Sequence, residues 1–141
     1  GEINIIRSDS REKPKIKMNY LSTEDDRKVA ADGLRLVRDI VLKSETFKKY
    51  HPEELRPGPQ FQSDEELVQE GSKFTQTIFH PVGTCKMGND ENSVVNDELK
   101  VHGIQNLRII DASIMPNITS GNTNAPTIMI AEKGADMILG R

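Results

Sequence analysis

His80 is the residue whose type and setting most favour chemistry in this sequence of 141 residues. It begins the stretch HPVGTCKMG, residues 80–88, which contains a proline, two glycines and the single cysteine of the chain. An imidazole can take up and release a proton near neutral pH, and rigid loops often hold such groups. A general base is therefore one interpretation of His80, and a histidine with a purely structural role is the other.

Cys85 offers two other chemistries to the same loop. Next to Lys86, its thiol could act as a nucleophile with His80 as the base, as in Cys/His hydrolases. A zinc site built from His80, Cys85 and His102 is a weaker alternative, because these residues lack the paired spacing of zinc ligands. The small and apolar neighbours of Cys85 favour a buried, unreactive side chain. The sequence therefore predicts no metal site.

Asp111 and the segment that follows it have the residue types of a ligand site. Asp111 ends the apolar run LRIID, which predicts a short buried strand, and carboxylates at strand ends often contact ligands in open α/β sheets. A turn aspartate that caps the next residues fits the pattern equally well. Residues 119–141 predict a final, buried helix with Asn122 or Asn124 as its cap and Pro126 in its first turn. The N–H groups at such a helix start suit an anion.

The elements before the loop are predicted from periodicity and from helix caps. Residues 2–5 and 15–20 alternate apolar with polar side chains, which predicts two half-buried antiparallel strands. The acidic stretch 22–26 predicts the start of an amphipathic helix that continues to Val41. Ser63 begins a capping box and predicts a short second helix. The run TQTIFH then predicts a strand that leads into the loop.

Charge and composition exclude several classes of function. The chain has 19 basic and 22 acidic residues, and their interleaving leaves no basic stripe of the kind that binds nucleic acid. No stretch approaches the ~20 consecutive apolar residues of a membrane-spanning helix. One cysteine excludes an internal disulfide. The chain has the length of one domain, and its start in the middle of a predicted strand leads us to expect a piece of a longer protein.

Two stretches of the chain carry a family resemblance. HPVGTCKMG and VHGIQNLRIIDASIMPNITSGNTNAPTIMIAEKGADMI together resemble the C-terminal signature region of the glucose–methanol–choline oxidoreductases, flavoproteins that oxidise alcohols with FAD. The resemblance is strongest to the choline dehydrogenase and alcohol dehydrogenase branch. It implies an α/β fold, α+β in the fragment itself. Residues 1–79 would contribute antiparallel strands and helices to the substrate-binding domain. Residues 80–141 would be the active-site loop and the return to the FAD-binding domain, with its last strand and last helix.

The resemblance also implies a catalytic pair. His80 stands at the position of the family's catalytic histidine, and Asn122 stands at a second active-site position that holds His or Asn. His80 would accept the hydroxyl proton of the alcohol while a hydride leaves for N5 of FAD. Asn122 would donate a hydrogen bond to the same oxygen. Cys85 matches a position that is not catalytic in the family.

The flavin contacts follow from the same resemblance. Asp111 and Ala112 match the end of the last strand of the FAD-binding domain, where the family contacts the flavin. Asn122, Thr123 and Asn124 match the turn that meets the isoalloxazine ring. The start of the last helix would stabilise the negative charge that reduced flavin carries near N1.

The partners implied are a small-molecule alcohol and the N-terminal, FAD-binding part of the same protein. Nucleic acid is not expected, an oligomer is possible, and the 141 residues alone are expected to be inactive. A cytoplasmic location and one on the cytoplasmic side of a membrane both stay open. The alternative function is a non-catalytic binding or assembly module, or a degenerate relative that keeps the fold.

Overall fold

A computed structural model describes all 141 residues, which form two compact units, residues 1–76 and 77–141. Four α-helices and one pair of antiparallel strands confirm the α+β class predicted for the fragment. The predicted division after residue 79 assigned each part to a domain of the family, and that assignment stays a prediction. None of the helices combines the length and the apolar character needed to cross a bilayer.

The first unit begins with a short β-ribbon. Strands β1 (Glu2–Asn4) and β2 (Lys15–Lys17) pair antiparallel with Ile3 opposite Ile16, which confirms the predicted pairing. The prediction that the strands are half-buried is wrong, since Ile3 is 44% and Ile16 is 59% exposed. The reason is that no helix of residues 1–76 packs against the ribbon.

Helix α1 (Glu24–Lys43) begins where the acidic stretch predicted it. The Thr23 hydroxyl accepts from the backbone N–H of Asp26 at 3.1 Å, and three acidic residues occupy the first turn, where they complement the helix dipole. A four-residue helix, α2 (Glu45–Lys48), follows α1 directly and was not predicted. Its cap is Ser44, whose hydroxyl accepts from the backbone N–H of Thr46, two residues on.

Helix α3 (Asp64–Ser72) packs against α1 and carries the predicted capping box. The Ser63 hydroxyl accepts from the backbone N–H of Glu66, and the Glu66 carboxylate accepts from the backbone N–H of Ser63. Ala31 of α1 and Leu67 of α3 are fully buried and are the core of this unit. The core is small because most apolar side chains of α1 stay partly exposed.

A nearly buried ion pair holds the long loop of residues 51–62 on α1. The Arg38 guanidinium donates two hydrogen bonds to the Glu54 carboxylate, each of 2.8 Å, and the two side chains are 12% and 10% exposed. The guanidinium also donates to the backbone oxygens of Gly58 and Phe61, at 3.0 and 2.9 Å. One side chain of α1 therefore fixes three points of the loop.

The second unit is built around one cluster of buried apolar side chains. Helix α4 (Asn124–Leu139) and the 3₁₀ turn Ala112–Ile114 pack against each other. The interior of the cluster consists of Val95, Leu99, Ile114, Met115 and Ile130. Gly134 lets α4 approach Ile110, because a Cβ at Gly134 would lie 2.5 Å from the Ile110 Cγ2. The approach leaves no room for a larger residue there.

Two predicted strands of this part of the chain are absent. The prediction of a buried strand at LRIID is wrong. Only Arg108 forms a bridge, with Lys100, and two main-chain hydrogen bonds flank it: Val101 N–H to the Leu107 carbonyl and Ile109 N–H to the Leu99 carbonyl. The pairing stops there because the partner segment forms a turn just before Lys100: the N–H of Leu99 donates to the Asn96 carbonyl, and Leu99 has a φ of 61°. TQTIFH, residues 75–80, forms no strand either, since no neighbouring backbone pairs with it.

Helix α4 is less buried than its composition predicted. Ile130 and Gly134 are buried, but the 3₁₀ turn and Ile110 cover only one side of the helix. The apolar side chains on its other sides are more than half exposed: Ile128, Met129, Ile138 and Leu139. The prediction of a buried final helix is therefore wrong for this chain.

The Arg38–Glu54 pair predicts a pH-dependent loss of stability in the first unit. Hydrogen bonds from Arg38, opposed by partial burial, hold the pKa of the Glu54 carboxyl below its usual range. A carboxyl whose folded pKa is depressed stabilises the fold above its unfolded pKa and loses that contribution as the pH falls through the folded value. Glu54→Gln should therefore cost about 3 kcal/mol at neutral pH, because it leaves a nearly buried guanidinium without its counter-charge.

Urea titration followed by tyrosine fluorescence measures this effect in the first unit alone, because both tyrosines, Tyr20 and Tyr50, lie within residues 1–76. Glu53→Gln is the matched control, since Glu53 is exposed and has no ion-pair partner. The difference between the two variants should shrink as the pH is lowered. Equal urea midpoints at neutral pH would contradict the stabilising role of the pair.

Candidate functional site

The loop of residues 80–88 is fixed by main-chain hydrogen bonds to the 3₁₀ turn. The N–H of Cys85 donates to the Ser113 carbonyl at 3.0 Å, and the N–H of Met87 donates to the Ile114 carbonyl at 2.8 Å. These bonds do not depend on the side chains involved, so the loop and the turn form one backbone scaffold. His80, the first residue of the loop, is therefore attached to a backbone that these hydrogen bonds fix in place.

Both glycines of the loop have positive φ angles, which glycine adopts more readily than other residues. Gly83 has a φ of 84°, and a Cβ there would lie 3.4 Å from the Met115 carbonyl oxygen, so a side chain at this position would be strained. The N–H of Gly88 donates to the Val95 carbonyl at 3.0 Å. The His102 imidazole contacts the Gly88 carbonyl through Nε2, also at 3.0 Å. His102 thus has a structural role at the far end of the loop.

His80 contacts the start of helix α4. Its Nδ1 lies 2.7 Å from the Thr123 hydroxyl oxygen, a contact between residues 43 positions apart in sequence. Thr123 is 8% exposed and His80 is half-buried. The other ring nitrogen, Nε2, has no hydrogen-bond partner in the protein. His80 is therefore held through one nitrogen and free at the other.

Thr123 precedes α4 but does not cap it with its side chain. Its backbone is already helical, with φ −77° and ψ −4°, and the third helical residue, Pro126, has no N–H to donate. The predicted caps are wrong, because the side chains of Asn122 and Asn124 make no hydrogen bond to the helix. The Thr123 hydroxyl is left available for His80.

The structure shows Asp111 as a turn residue. Its carboxylate accepts from the backbone N–H of Ser113 at 2.7 Å and begins the 3₁₀ turn of which Ala112 is the first residue. Asp111 is exposed, and Ala112 is half-buried. A contact of either residue with a flavin stays a prediction, and the capping interpretation accounts for the hydrogen bond that Asp111 makes here.

The start of α4 has the donors that an electron-rich ligand requires. The side chains of Asn122 and Asn124 are exposed and have no protein partner. The N–H groups of Asn124 and Ala125 also lack protein acceptors, as the first N–H groups of a helix do. Because α4 has 16 residues, its dipole adds partial positive charge at this end. These groups fit the electron-rich edge of the flavin ring that the resemblance implies.

The geometry supports neither a Cys85–His80 nucleophile pair nor a zinc site in the loop. The Cys85 sulfur makes no hydrogen bond to His80, whose Nδ1 is engaged by Thr123. No group of three or more His, Cys, Asp or Glu side chains lies close enough together to hold a metal ion. Cys85 is half-buried, and its backbone N–H is bonded to the 3₁₀ turn.

Comparison with known proteins identifies the family. The sequence model of the GMC oxidoreductase family matches residues 1–131. The chain belongs to the GMC oxidoreductase family. This confirms the resemblance seen in the sequence, and FAD, the cofactor predicted from it, is confirmed at the level of the family.

Individual relatives agree with the family assignment. Over all 141 residues the chain is 49% identical to an oxygen-dependent choline dehydrogenase of Pseudomonas savastanoi pv. phaseolicola, of which it covers 25%. Among solved structures, a formate oxidase variant of Aspergillus oryzae aligns with 99% of the chain and 24% of its own, at 33% identity and a TM-score of 0.86. An FAD-dependent oxidoreductase of Chaetomium thermophilum aligns with 98% of the chain and 24% of its own, at 28% identity and a TM-score of 0.90. The chain therefore spans about a quarter of the length of each of these GMC oxidoreductases.

The contact between His80 and Thr123 was not predicted. The resemblance placed Thr123 among the flavin contacts and gave it no role toward His80. Pro126 was the signal in the sequence, because a proline at the third helical position removes the usual partner of a capping hydroxyl. That His80 is the partner of the Thr123 hydroxyl depends on the tertiary fold, so the local sequence pattern could not predict it.

The lack of a Cys85–His80 pair predicts the reactivity of the thiol. Alkylation of Cys85 by iodoacetamide should proceed at the same rate, within about twofold, in the 141-residue chain and in its His80→Gln variant, because no imidazole activates the thiol. Cys85 is the only cysteine, so the measurement needs no further labelling. His51→Asn is the control, because Asn tolerates the φ of 46° at this exposed position. A slowing of about tenfold or more that is specific to His80→Gln would indicate a Cys/His pair.

Proposed function

We propose that this chain completes the active site of a longer GMC flavoprotein that oxidises a small-molecule alcohol to an aldehyde or ketone. FAD, when bound, would supply the hydride acceptor. The observation that carries the proposal is the position of His80, which is held at Nδ1 by Thr123 and free at Nε2 beside the start of α4. The family of the chain and the fit of the groups at the start of α4 support it.

His80 is the proposed general base. The hydroxyl proton of the alcohol moves to Nε2 while the carbon–hydrogen bond next to that oxygen breaks and its electron pair leaves as hydride. The O–H electron pair forms the second bond of the carbonyl group. A base held on a fixed loop lowers the barrier because its orientation costs nothing at the moment of reaction.

Asn122 is the proposed second active-site residue. Its exposed amide, which has no partner in the protein, donates a hydrogen bond to the alcohol oxygen and orients it toward His80. Asp111, Ala112, Thr123 and Asn124 are proposed to contact the flavin. The N-terminus of α4 would stabilise negative charge on the reduced ring.

The relatives suggest which alcohol to test first. The curated relatives at 45–49% identity are oxygen-dependent choline dehydrogenases, and we propose choline as the first candidate substrate. In this proposal residues 1–79 belong to the substrate-binding domain and residues 80–141 return to the FAD-binding domain. The N-terminal part of the same protein would supply the rest of the flavin site.

The first test replaces His80 in the longer flavoprotein. His80→Ala should slow flavin reduction by alcohol about 10²- to 10⁴-fold, because the general base is lost while the loop backbone stays bonded to the 3₁₀ turn. Flavin absorbance gives both the rate and the amount of FAD bound, which should not change. His51→Asn is the control, since His51 is exposed, has φ 46° and Asn tolerates that conformation. An unchanged rate in His80→Ala would contradict the proposal.

The second test concerns Asn122. Asn122→Ala should slow flavin reduction less than His80→Ala does, because an orienting hydrogen bond contributes less than the proton acceptor. Asn122→His should recover part of the loss, since an imidazole can donate to the same oxygen. Stopped-flow absorbance of the flavin measures all three proteins. A wild-type rate in Asn122→Ala would remove Asn122 from the mechanism.

A further inference from the structure

The Thr123 hydroxyl is the only protein group that hydrogen-bonds the His80 ring. The two atoms lie 2.7 Å apart, in the usual range for a good hydrogen bond. Thr123 is also fixed through its backbone, because its carbonyl oxygen accepts from the N–H of Thr127 at 3.0 Å and from the Thr127 hydroxyl at 2.6 Å. The contact therefore ties the imidazole to a rigid helix start.

The helix does not compete for the Thr123 hydroxyl. A hydroxyl at the residue before a helix normally accepts from the second or third N–H of that helix. Here Pro126 removes the third donor, and the helical backbone of Thr123 leaves its side chain without a capping bond. The lone pairs of the hydroxyl oxygen are thus free to accept from a donor outside the helix, and His80 is the group that reaches it.

We propose that Thr123 is a positioning residue for His80, whose hydroxyl oxygen accepts from Nδ1–H and so fixes the tautomer with its lone pair on Nε2. This inference rests on the proposed function, in which Nε2 receives the substrate proton. A neutral imidazole has one donor nitrogen and one acceptor nitrogen, and the partner of one decides the state of the other. Thr123 would therefore decide which nitrogen of His80 is the base.

The same hydrogen bond would be kept in the neutral and in the protonated form of His80. After Nε2 accepts a proton, both ring nitrogens are donors, and Nδ1–H still needs an acceptor. The Thr123 hydroxyl oxygen is that acceptor before and after the transfer, so the ring does not have to move. His102 offers a contrast within the same chain, because its Nε2 faces a carbonyl oxygen, which only accepts, and must carry the proton.

The first experiment compares Thr123→Val with Thr123→Ser in the longer flavoprotein. Valine has nearly the shape of threonine without the hydroxyl, so Thr123→Val should slow flavin reduction about 10- to 100-fold, the range seen when a metal-binding histidine loses the partner that orients it. Serine keeps the hydroxyl, and Thr123→Ser should stay within about threefold of the natural protein. Flavin absorbance reports the FAD content of each variant. Equal rates in the two variants would overturn the proposal.

The second experiment reads the tautomer directly. Long-range ¹H–¹⁵N spectra of the 141-residue chain with labelled histidine should show the proton of neutral His80 on Nδ1 and that of neutral His102 on Nε2. The three histidines are assigned by single substitutions. Thr123→Val should remove the preference of His80 and leave that of His102 unchanged. A proton on Nε2 of His80 in the unaltered chain would overturn the proposal.

Together the two experiments separate this inference from the proposed function. If His80→Ala leaves flavin reduction unchanged, the proposed function fails, whatever the tautomer. If His80→Ala slows flavin reduction while Thr123→Val keeps the natural rate, the proposed function stands and the positioning role of Thr123 fails. If Thr123→Val loses FAD or its fold, the spectrum of the unaltered chain decides the proposal: a proton on Nδ1 of neutral His80 supports it, and a proton on Nε2 overturns it.

Discussion

The hydrogen bond between the His80 imidazole and the Thr123 hydroxyl joins two segments that local structure alone would leave independent. One is a loop that has no helix or strand of its own, and the other is the first turn of a 16-residue helix. The loop backbone cannot turn away, because Cys85 and Met87 are bonded to the 3₁₀ turn that packs on the same helix. The position of His80 beside the start of α4 depends on both sets of hydrogen bonds.

The start of α4 can bind an electron-rich ligand because several hydrogen-bonding groups there have no partner within the helix. Proline at position 126 removes one N–H and leaves the hydroxyl before it without a capping bond, while two further N–H groups and two asparagine amides have no protein acceptor. Unsatisfied donors at an exposed helix start favour an electron-rich ligand over water when the ligand is held in place. The small buried cluster around Val95 and Ile114 keeps this helix start in position relative to the loop.

Local signals in the sequence predicted the features that depend only on near neighbours. The start of α1 within residues 22–26 and the Ser63 capping box follow from side chains within one turn. The strands predicted at TQTIFH and LRIID failed because a strand needs a partner along its length, and alternation or apolarity does not supply one. The site residues came from family resemblance, whereas the His80–Thr123 contact needed the tertiary structure, since it joins segments 43 residues apart.

A structure of the longer flavoprotein with FAD bound tests the central claim most directly. The account predicts that His80 Nδ1 and the Thr123 hydroxyl oxygen stay within about 3.2 Å, with Nε2 of His80 and the Asn122 amide both facing the flavin ring. The result that would contradict it is a His80 ring bonded to another group through Nδ1, with the Thr123 hydroxyl turned back to cap α4.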